Sequence, residues 1–589
     1  MSSQQYVYHC PFANQASHGL FTDCSPYLLP DRIARRIPSS GSSPQVSISI
    51  DGPSSSGSGE IHHVDKSSVL NCVSSYNKRM CYAPRLQLLL TVLAGPVTIG
   101  LLPADVILNI FHFVRVIYAG PVGFPNGLTY YSGGRDLVEW RRSWWYPLIH
   151  VCGKWRSVIF ASPNFLDLRL VCVPYTRVEL VDIWPPFPII IRSCHPTAED
   201  YDFDAAIVHH DRVCEIDLHL TSLQLERWTS AMQVQFPALT HLSLMLHWLS
   251  MERPLAPALP DEFLGGFAPN LQSLELNFIP FPALPKLLLN ATQLSSLSLQ
   301  NIPHSGYISP KVMVTSLAVL VNLKCLFIGF ESPESSPNPE SRRPPPPSRT
   351  LLPALTNFSF QGASEYVEAL VAQVDAPLLD YISMSFFHQF TFDTPQLAQF
   401  MMRATGLKAF NEAHVDFRDC VWVKFFSQTE TIFHTKGSYL TIQCGILELQ
   451  LSCLAQLFTS FFPSIYTMEH LYIYSRHLEP QPQEDVENLR WLETFQSFTA
   501  VKSLYVSKEF VQGIAHSLQE LGEERLMDVF PALESLFLEG FQISRPVQEA
   551  VEKFVAARQL LGHPVAVSDW DNLNRFSFKL PSLLSAIPD

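Results

Sequence analysis

The sequence predicts an α/β chain in which a small helical module precedes a long repetitive array. Two observations carry that assignment. An apolar-x-x-apolar-x-apolar pattern recurs in ten copies between Val213 and Leu538. Ahead of it, apolar residues recur at the three- and four-residue spacing of one helical face, first over Leu102–Val114 and again over Trp145–Pro163. With 589 residues, 47% hydrophobic and only 16% charged, the chain can bury a large core and is expected to hold two ordered units.

Taken in order, residues 1–97 read as a disordered arm rich in Ser, Pro and Gly that ends in an apolar lead-in. Its runs SSGSSPQ and GPSSSGSG bury too little apolar area to offset chain entropy. Leu86–Leu102 carries no charge over 17 residues, the lower limit for crossing a bilayer. Gly95-Pro96 interrupts it and its end runs into the first helix, so packing on the helical module is expected and a membrane is not.

The helical module spans 98–170. Pro103 stands where a helix begins, because the first turn would leave its missing N–H unpaired anyway. Val106, Ile107, Ile110, Phe111 and Val114 form one stripe; Leu148, Val151, Cys152, Trp155, Val158 and Ile159 form the second, ended by Ser162-Pro163. Both helices are too short to stand alone in water and must bury their stripes. Between them, 115–142 is a loop insert marked by GPVGFPNG and SGGR, without the Lys-Ser/Thr of a phosphate-binding loop. Residues 171–204 are a linker in which Pro185, Pro186 and Pro188 bar a central strand.

The array covers 205–545. Its copies are Val213-Ile216-Leu218, Leu239-Leu242-Leu244, Leu271-Leu274-Leu276, Leu294-Leu297-Leu299, Leu323-Leu326-Ile328, Leu355-Phe358-Phe360 and Leu379-Ile382-Met384. Met468-Leu471-Ile473, Val501-Leu504-Val506 and Leu533-Leu536-Leu538 resume it after a stretch, 385–465, that has no clear register. A proline-rich insert at 331–350, with Arg342, Arg343, Arg349 and Pro344–Pro347, is a surface loop. Residues 546–589 supply a capping helix, PVQEAVEKFVAARQLLG, and a tail; Val547, Val551, Phe554, Val555 and Leu561 share its apolar face and Gly562 stops it.

The helical pair resembles the F-box, a three-helix module that docks a substrate receptor onto a Skp-type adaptor. Leu102-Pro103, Asp105, Val106-Ile107 and Ile110-Phe111 match its opening, with Asp where Glu is usual, and Val151-Cys152 followed by Trp155 matches its second signature. The run HVCGKWRSVIFASPNFLDLRLVC is similar to F-box proteins of mushroom-forming fungi. This resemblance implies an adaptor-binding patch drawn from Leu102, Pro103, Ile107, Ile110, Val151 and Trp155. It also implies membership of an SCF-type ubiquitin ligase, with a cullin–RING scaffold reached through the adaptor. Cys152 is then a buried core thiol.

The array resembles leucine-rich repeats, in which each copy gives one strand to a curved parallel sheet and stacking makes the core. The implied fold is a small helical F-box module followed by an irregular leucine-rich-repeat solenoid. The family's Asn or Cys ladder is missing, its position being His247, Ile279 and Ile302 in three copies. Alternate strand residues should line the exposed face. They are small and polar early (Ser243, Ser273, Glu275, Ser296, Ser298) and aromatic late (Tyr472, Tyr474, Tyr505, Phe537). The late group is the expected anchor for a protein target.

The formal net charge of -14 argues against nucleic acid, which draws on basic patches. The 12 cysteines form no C-x-x-C pair, so a zinc-bound RING is not expected, and scattered thiols suit a reducing cytoplasmic or nuclear compartment. HHDRVC at 209–214 offers His209, His210 and Cys214 without a fourth metal ligand at a matching spacing. No catalytic motif stands out, and no cofactor or metal is expected. Two other functions stay open: a repeat scaffold without ligase partnership, and an enzyme whose site lies in 385–465.

Overall fold

In the computed structural model, the copies aligned by sequence become neighbouring strands of one sheet. The structure describes residues 102–119, 144–172, 185–193, 207–247, 257–333, 348–387, 392–405, 407, 410–418, 420–426, 438–443, 447–461, 467–475, 488–522, 525–540 and 545–570. The expected arm, most of the apolar lead-in, much of the insert after the first helix and the Pro344–Pro347 run lie outside these residues.

The chain divides into two compact units, Met1–Ile107 and Leu108–Asp589. The described part of the first is Leu102–Ile107, which opens helix α1 (Ala104–Ala119) one residue after Pro103. The Ile107 amide donates to the Pro103 carbonyl, closing the first turn. The helix runs past Val114 into the expected insert, because RVIYA contains no breaker before Gly120.

In the second unit, the expected single helix over Trp145–Pro163 is broken. It forms α2 (Tyr146–Ile149), α3 (Gly153–Ala161) and α4 (Pro163–Leu166). Cys152 takes an extended backbone ahead of Gly153, so the helix restarts there. This places Cys152 on the surface, exposed, and not in the core. The interior of this segment is instead aromatic: Trp145 packs edge-on to Phe160 and Phe187, and Phe111 edge-on to Trp155.

A 16-stranded sheet follows. Its first strands are β1 (Leu170–Cys172) and β2 (Ile189–Ser193), so the sheet begins within the helical module and linker of the sequence reading. Pro185, Pro186 and Pro188 do not bar β2 from the interior, because all three precede its first paired residue. Next come β3 (Val213–Leu220), β4 (His241–Leu246), β5 (Ser273–Asn277), β6 (Ser296–Ile302) and β7 (Cys325–Phe330). A two-stranded side ribbon, β8 (Thr350–Leu351) with β10 (Val374–Asp375), flanks β9 (Asn357–Gly362); β11 (Tyr381–Phe387) follows. Pairing is parallel throughout this half, in the register the repeats gave: Ile216, Leu242, Leu274, Leu297, Leu326, Phe358 and Ile382 are successive partners.

The stretch without clear register holds three more strands, β12 (Glu412–Phe417), β13 (Val421–Phe426) and β14 (Ser438–Gln443). Across the sheet they stand in reverse order, β11-β14-β13-β12-β15, and β13 is antiparallel to both neighbours. A reversed strand inside a parallel array has no repeat to align with, which is why periodicity could not place it. Parallel order resumes with β15 (His470–Ser475), β16 (Ser503–Val506), β17 (Ser535–Leu538) and β18 (Ala566–Asp569), where Leu471, Leu504, Leu536 and Val567 pair in register.

Connections carry the helices α5 (Ser222–Ala231), α6 (Leu284–Leu288), α7 (Pro310–Leu317), α8 (Ser364–Val371), α9 (Pro395–Arg403), α10 (Leu447–Phe461), α11 (Asn488–Phe495), α12 (Lys508–Gln519) and α13 (Arg545–Leu560). A Thr221–Gln224 capping box starts α5. Helix side chains close one face of the sheet: Phe400 of α9 packs on Phe358, and Trp491 of α11 and Phe510 of α12 on Phe417. The expected capping helix is α13, but β18 follows it and extends the sheet. Its apolar face also differs, with Arg558 fully buried and Leu561 47% exposed.

In place of an Asn ladder, consecutive strands are tied at their entrances. The amides of Gln272, Ser295, Lys324, Thr356 and Asp380 each donate to the carbonyl one repeat back, on Thr240, Gln272, Ser295, Lys324 and Thr356. Late copies repeat this, from Lys502 to Glu469 and from Glu534 to Lys502.

Candidate functional site

Strand side chains alternate between two faces, and among the described residues the helices pack on one of them. On the other, parallel register lines residues into columns. One column runs Arg192, Asp217, Ser243, Glu275, Ser298, Phe327, Ser359, Ser383, Tyr439, Lys424, His414, Tyr472, Tyr505, Phe537. Through Lys424 and His414 its members are half-buried, and the character changes along it from acidic to hydroxyl-rich to aromatic.

The acidic end is a bonded network. Arg192 reaches Glu215 at 3.2 Å and Asp217 at 3.1 Å. Glu275 accepts from Gln300 at 2.9 Å and from Ser243 at 3.4 Å, and Asn301 donates to Asn277 at 2.9 Å. Burial raises the Glu275 carboxyl above its ordinary range, with the Asp217 charge adding to it and the Ser243 hydrogen bond opposing.

In the middle, the hydroxyls of Ser298, Ser359 and Ser383 are interrupted by the half-buried Phe327 ring. Beyond it the reversed strands bring cations over rings, with Lys424 5.2 Å from the Tyr439 ring and Arg418 5.8 Å from the Trp422 ring. Burial and neighbouring Tyr439 push the Tyr381 phenol up to about 12.

At the far end the rings stack, His414 on Tyr472 at 4.3 Å, Tyr472 on Tyr505 at 4.2 Å and Tyr505 on Phe537 at 4.4 Å. These spacings approach the strand separation of about 4.8 Å, so in-register rings stack without adjustment. Trp570, just after β18, folds onto Tyr472 and Tyr505. Tyr472 and Tyr474 are therefore 1% and 3% exposed and not the exposed anchors the alternation predicted; Tyr505 and Phe537 are partly buried in the same cluster. Sequence reasoning missed Trp570, whose only signal is a lone tryptophan in the tail.

The residues of the expected adaptor patch also separate. Pro103 is exposed, Val151 is 56% exposed, Leu102, Ile110 and Trp155 are intermediate, and Ile107 is buried at 1%. Ile107 belongs to the interior because it shares its helical stripe with buried Phe111. Phe113, on which the sequence placed no role, is 45% exposed.

His210 bonds the Gln235 carbonyl at 2.7 Å and buried Cys214 donates to the Ile189 carbonyl at 3.3 Å, so HHDRVC ties loops to the sheet. Among the described residues, no His, Cys, Asp or Glu group is arranged to hold a metal ion, and no helix is long and apolar enough to cross a membrane. A small gap reaching into the 385–465 stretch lies among Val415, Phe417, Leu454, Phe458, Leu471 and Trp491, and is apolar but for Thr494.

The fold defines an α/β repeat solenoid on a largely parallel sheet. No family model and no curated protein matches the chain. Among solved structures it is similar to the leucine-rich repeat-containing protein LegL7 from Legionella pneumophila, at 13% identity and a TM-score of 0.23, over 58% of this chain and 90% of that one.

Proposed function

We propose that this chain is a protein-interaction scaffold whose partner lies across the helix-free face of its sheet. The observation that carries the reading is the column from Asp217 to Lys424, a half-buried row of acids, hydroxyls and rings ending in a lysine, on the face that the described helices leave uncovered. A surface of that kind combines charged groups, aromatic rings and short hydroxyl side chains, the mixture that protein interfaces use. To test it, a photoreactive benzophenone side chain is placed at Ser359 on this face, or at Val312, 44% exposed on α7. In extract, Ser359 should give a discrete crosslinked product and Val312 should not. Equal products from both positions would sink the reading.

A second reading adds docking to a Skp-type adaptor and, through it, a cullin–RING ligase, with the sheet face holding the protein to be modified. Its support is the pair of F-box-like motifs together with apolar groups left at the surface around them, Val151 and Phe113. Catalysis would then be by proximity, with no reacting group on this chain. Full-length chain should co-elute with a Skp-type adaptor, and Phe113→Asp with Val151→Asp should abolish co-elution without lowering the melting temperature. A wild-type chain that elutes alone removes the ligase partnership and leaves the scaffold.

A further inference from the structure

The segments that lead into the strands form one flank of the sheet-bearing unit, and neighbouring segments are stitched together. The Leu264 amide donates to the Met232 carbonyl, the Asn290 side chain to the Gly266 carbonyl and the Asn322 side chain to the Thr292 carbonyl. Leu351 pairs with Asp375, whose carboxylate accepts from Arg403 at 2.9 Å. Along this flank Phe267, Leu289, Val321, Leu351, Leu378 and Met402 each leave between 46% and 62% of their surface exposed. All but Met402, which lies at the end of α9, stand within five residues ahead of the leading apolar residue of successive copies, Leu271, Leu294, Leu323, Leu355 and Leu379. Among the described residues from β5 to β11, Val312 near the start of α7 is the one exposed large hydrophobe off this row.

A row of half-exposed hydrophobes, one per repeat, is the kind of apolar surface that marks an interaction site. Strands recur about every 4.8 Å, and a helical turn rises about 5.4 Å, so an amphipathic helix laid across the flank meets each repeat with one apolar residue. An extended segment repeats a side chain on one face only about every 6.8 Å and falls out of step within two repeats. Six positions span about 24 Å, the length of about 16 helical residues. The charges at the edge of the row fit the same occupant. Exposed Lys324 and Asp380 enter β7 and β11, one on either side of Thr356, whose amide donates to the Lys324 carbonyl and whose carbonyl accepts from Asp380. Two strands, or about 10 Å, separate them, close to the rise of two helical turns. Both signs at the row and a chain charge of -14 disfavour an anionic bilayer. That charge also opposes a second copy, and a row one side chain wide falls short of the roughly 800 Å² that each folded partner of a stable complex buries.

We infer that this flank, from β5 to β11, docks an amphipathic helix of a partner protein, whose apolar stripe lies along the row while an acid and a base two turns apart meet Lys324 and Asp380. Such a helix brings its own apolar face out of water, and the two charges set the direction in which it lies. The flank is separate from the face that the described helices leave uncovered, so the Ser359 crosslink neither supports nor opposes it.

The test uses full-length chain and a fluorescein-labelled amphipathic peptide of about 18 residues, with leucine at every third or fourth position and glutamate and lysine two turns apart. Binding is read by anisotropy at about 0.15 M ionic strength. Val321→Asp with Leu378→Asp puts charge into the row; Leu223→Asp with Val312→Asp makes the same change at exposed sites near the starts of α5 and α7. The first pair should weaken binding about tenfold or more and the second by less than about twofold, with unchanged melting temperatures. Should either pair melt lower, Val321→Ser with Leu378→Ser, which removes apolar surface without adding charge, takes the place of the first and should also weaken binding. A peptide of the same composition with its leucines scattered around the helix should bind about tenfold more weakly. Equal losses from both pairs, equal binding of the scattered peptide, or a wild-type chain that binds neither peptide overturns the inference. A wild-type dimer in sedimentation that Val321→Asp with Leu378→Asp dissociates would give the flank to a second copy, and overturns it as well.

Discussion

Arg558 occupies a place where a helical stripe would put a hydrophobe. It is fully buried, and its guanidinium donates to the carbonyls of Leu526, Pro531 and Leu533 and to the Met527 sulfur. Those carbonyls belong to the loop that enters β17, so the side chain staples α13 to the last repeats. A hydrophobe of similar size would fill the space but leave carbonyls unpaired. Arg558→Met should therefore cost about 2–4 kcal/mol in urea denaturation, and a loss below about 0.5 kcal/mol would show that the staple contributes little. Periodicity could find the helix but not this residue, because a buried arginine is chosen by acceptors that come from another part of the chain.

At the scale of the element, β18 and Trp570 decide what the late strands display. The alternation places Tyr472, Tyr474, Tyr505 and Phe537 on the face that the described helices leave uncovered, but exposure on that face depends on β18, which stands where the sequence predicts a tail. Trp570 is 6% exposed and sits against Tyr472, so Trp570→Ala should open the cluster and cost about 3–5 kcal/mol. Acetylation of Tyr472 and Tyr474 by N-acetylimidazole, read by mass spectrometry, should rise in the variant. Unchanged reactivity would mean that another segment covers them. The broken helix before α3 teaches the same point in reverse. Val151 and Cys152 fit a helical stripe by spacing, yet Cys152 takes an extended backbone, the helix restarts at Gly153, and both are exposed.

At the scale of the whole sheet-bearing unit, stability is carried by stacking of neighbours. Leu297 of β6 is 1% exposed and pairs with Leu274 and Leu326 on either side. Leu297→Ala should lose about 2–5 kcal/mol from the transfer and cavity terms together. Because each repeat touches mainly its neighbours, hydrogen exchange should quicken first in β5–β7. Uniform quickening from β1 to β18 would instead make the sheet a single cooperative block. The reversed β12–β14 segment is the natural place for any such block to divide, since its neighbours are joined out of chain order.

What the sequence by itself determined is the repeating part. Leucine spacing is a local property of each copy, and copies that bury the same side chain against the same neighbour must stack in the register of that spacing. The α/β class, the strand register from Ile216 to Ile382 and from Leu471 to Leu536, and the face assigned to each alternate residue were all legible for that reason. Only the tertiary structure decided the rest. The burial of Tyr472 under Trp570 joins residues far apart in the chain, while the antiparallel β13, the sheet's extension to β1 and β18 and the staple at Arg558 join nearer segments that fall outside the repeat pattern. No local period records such a meeting, because its free energy comes from surfaces that exist only after the repeats have stacked.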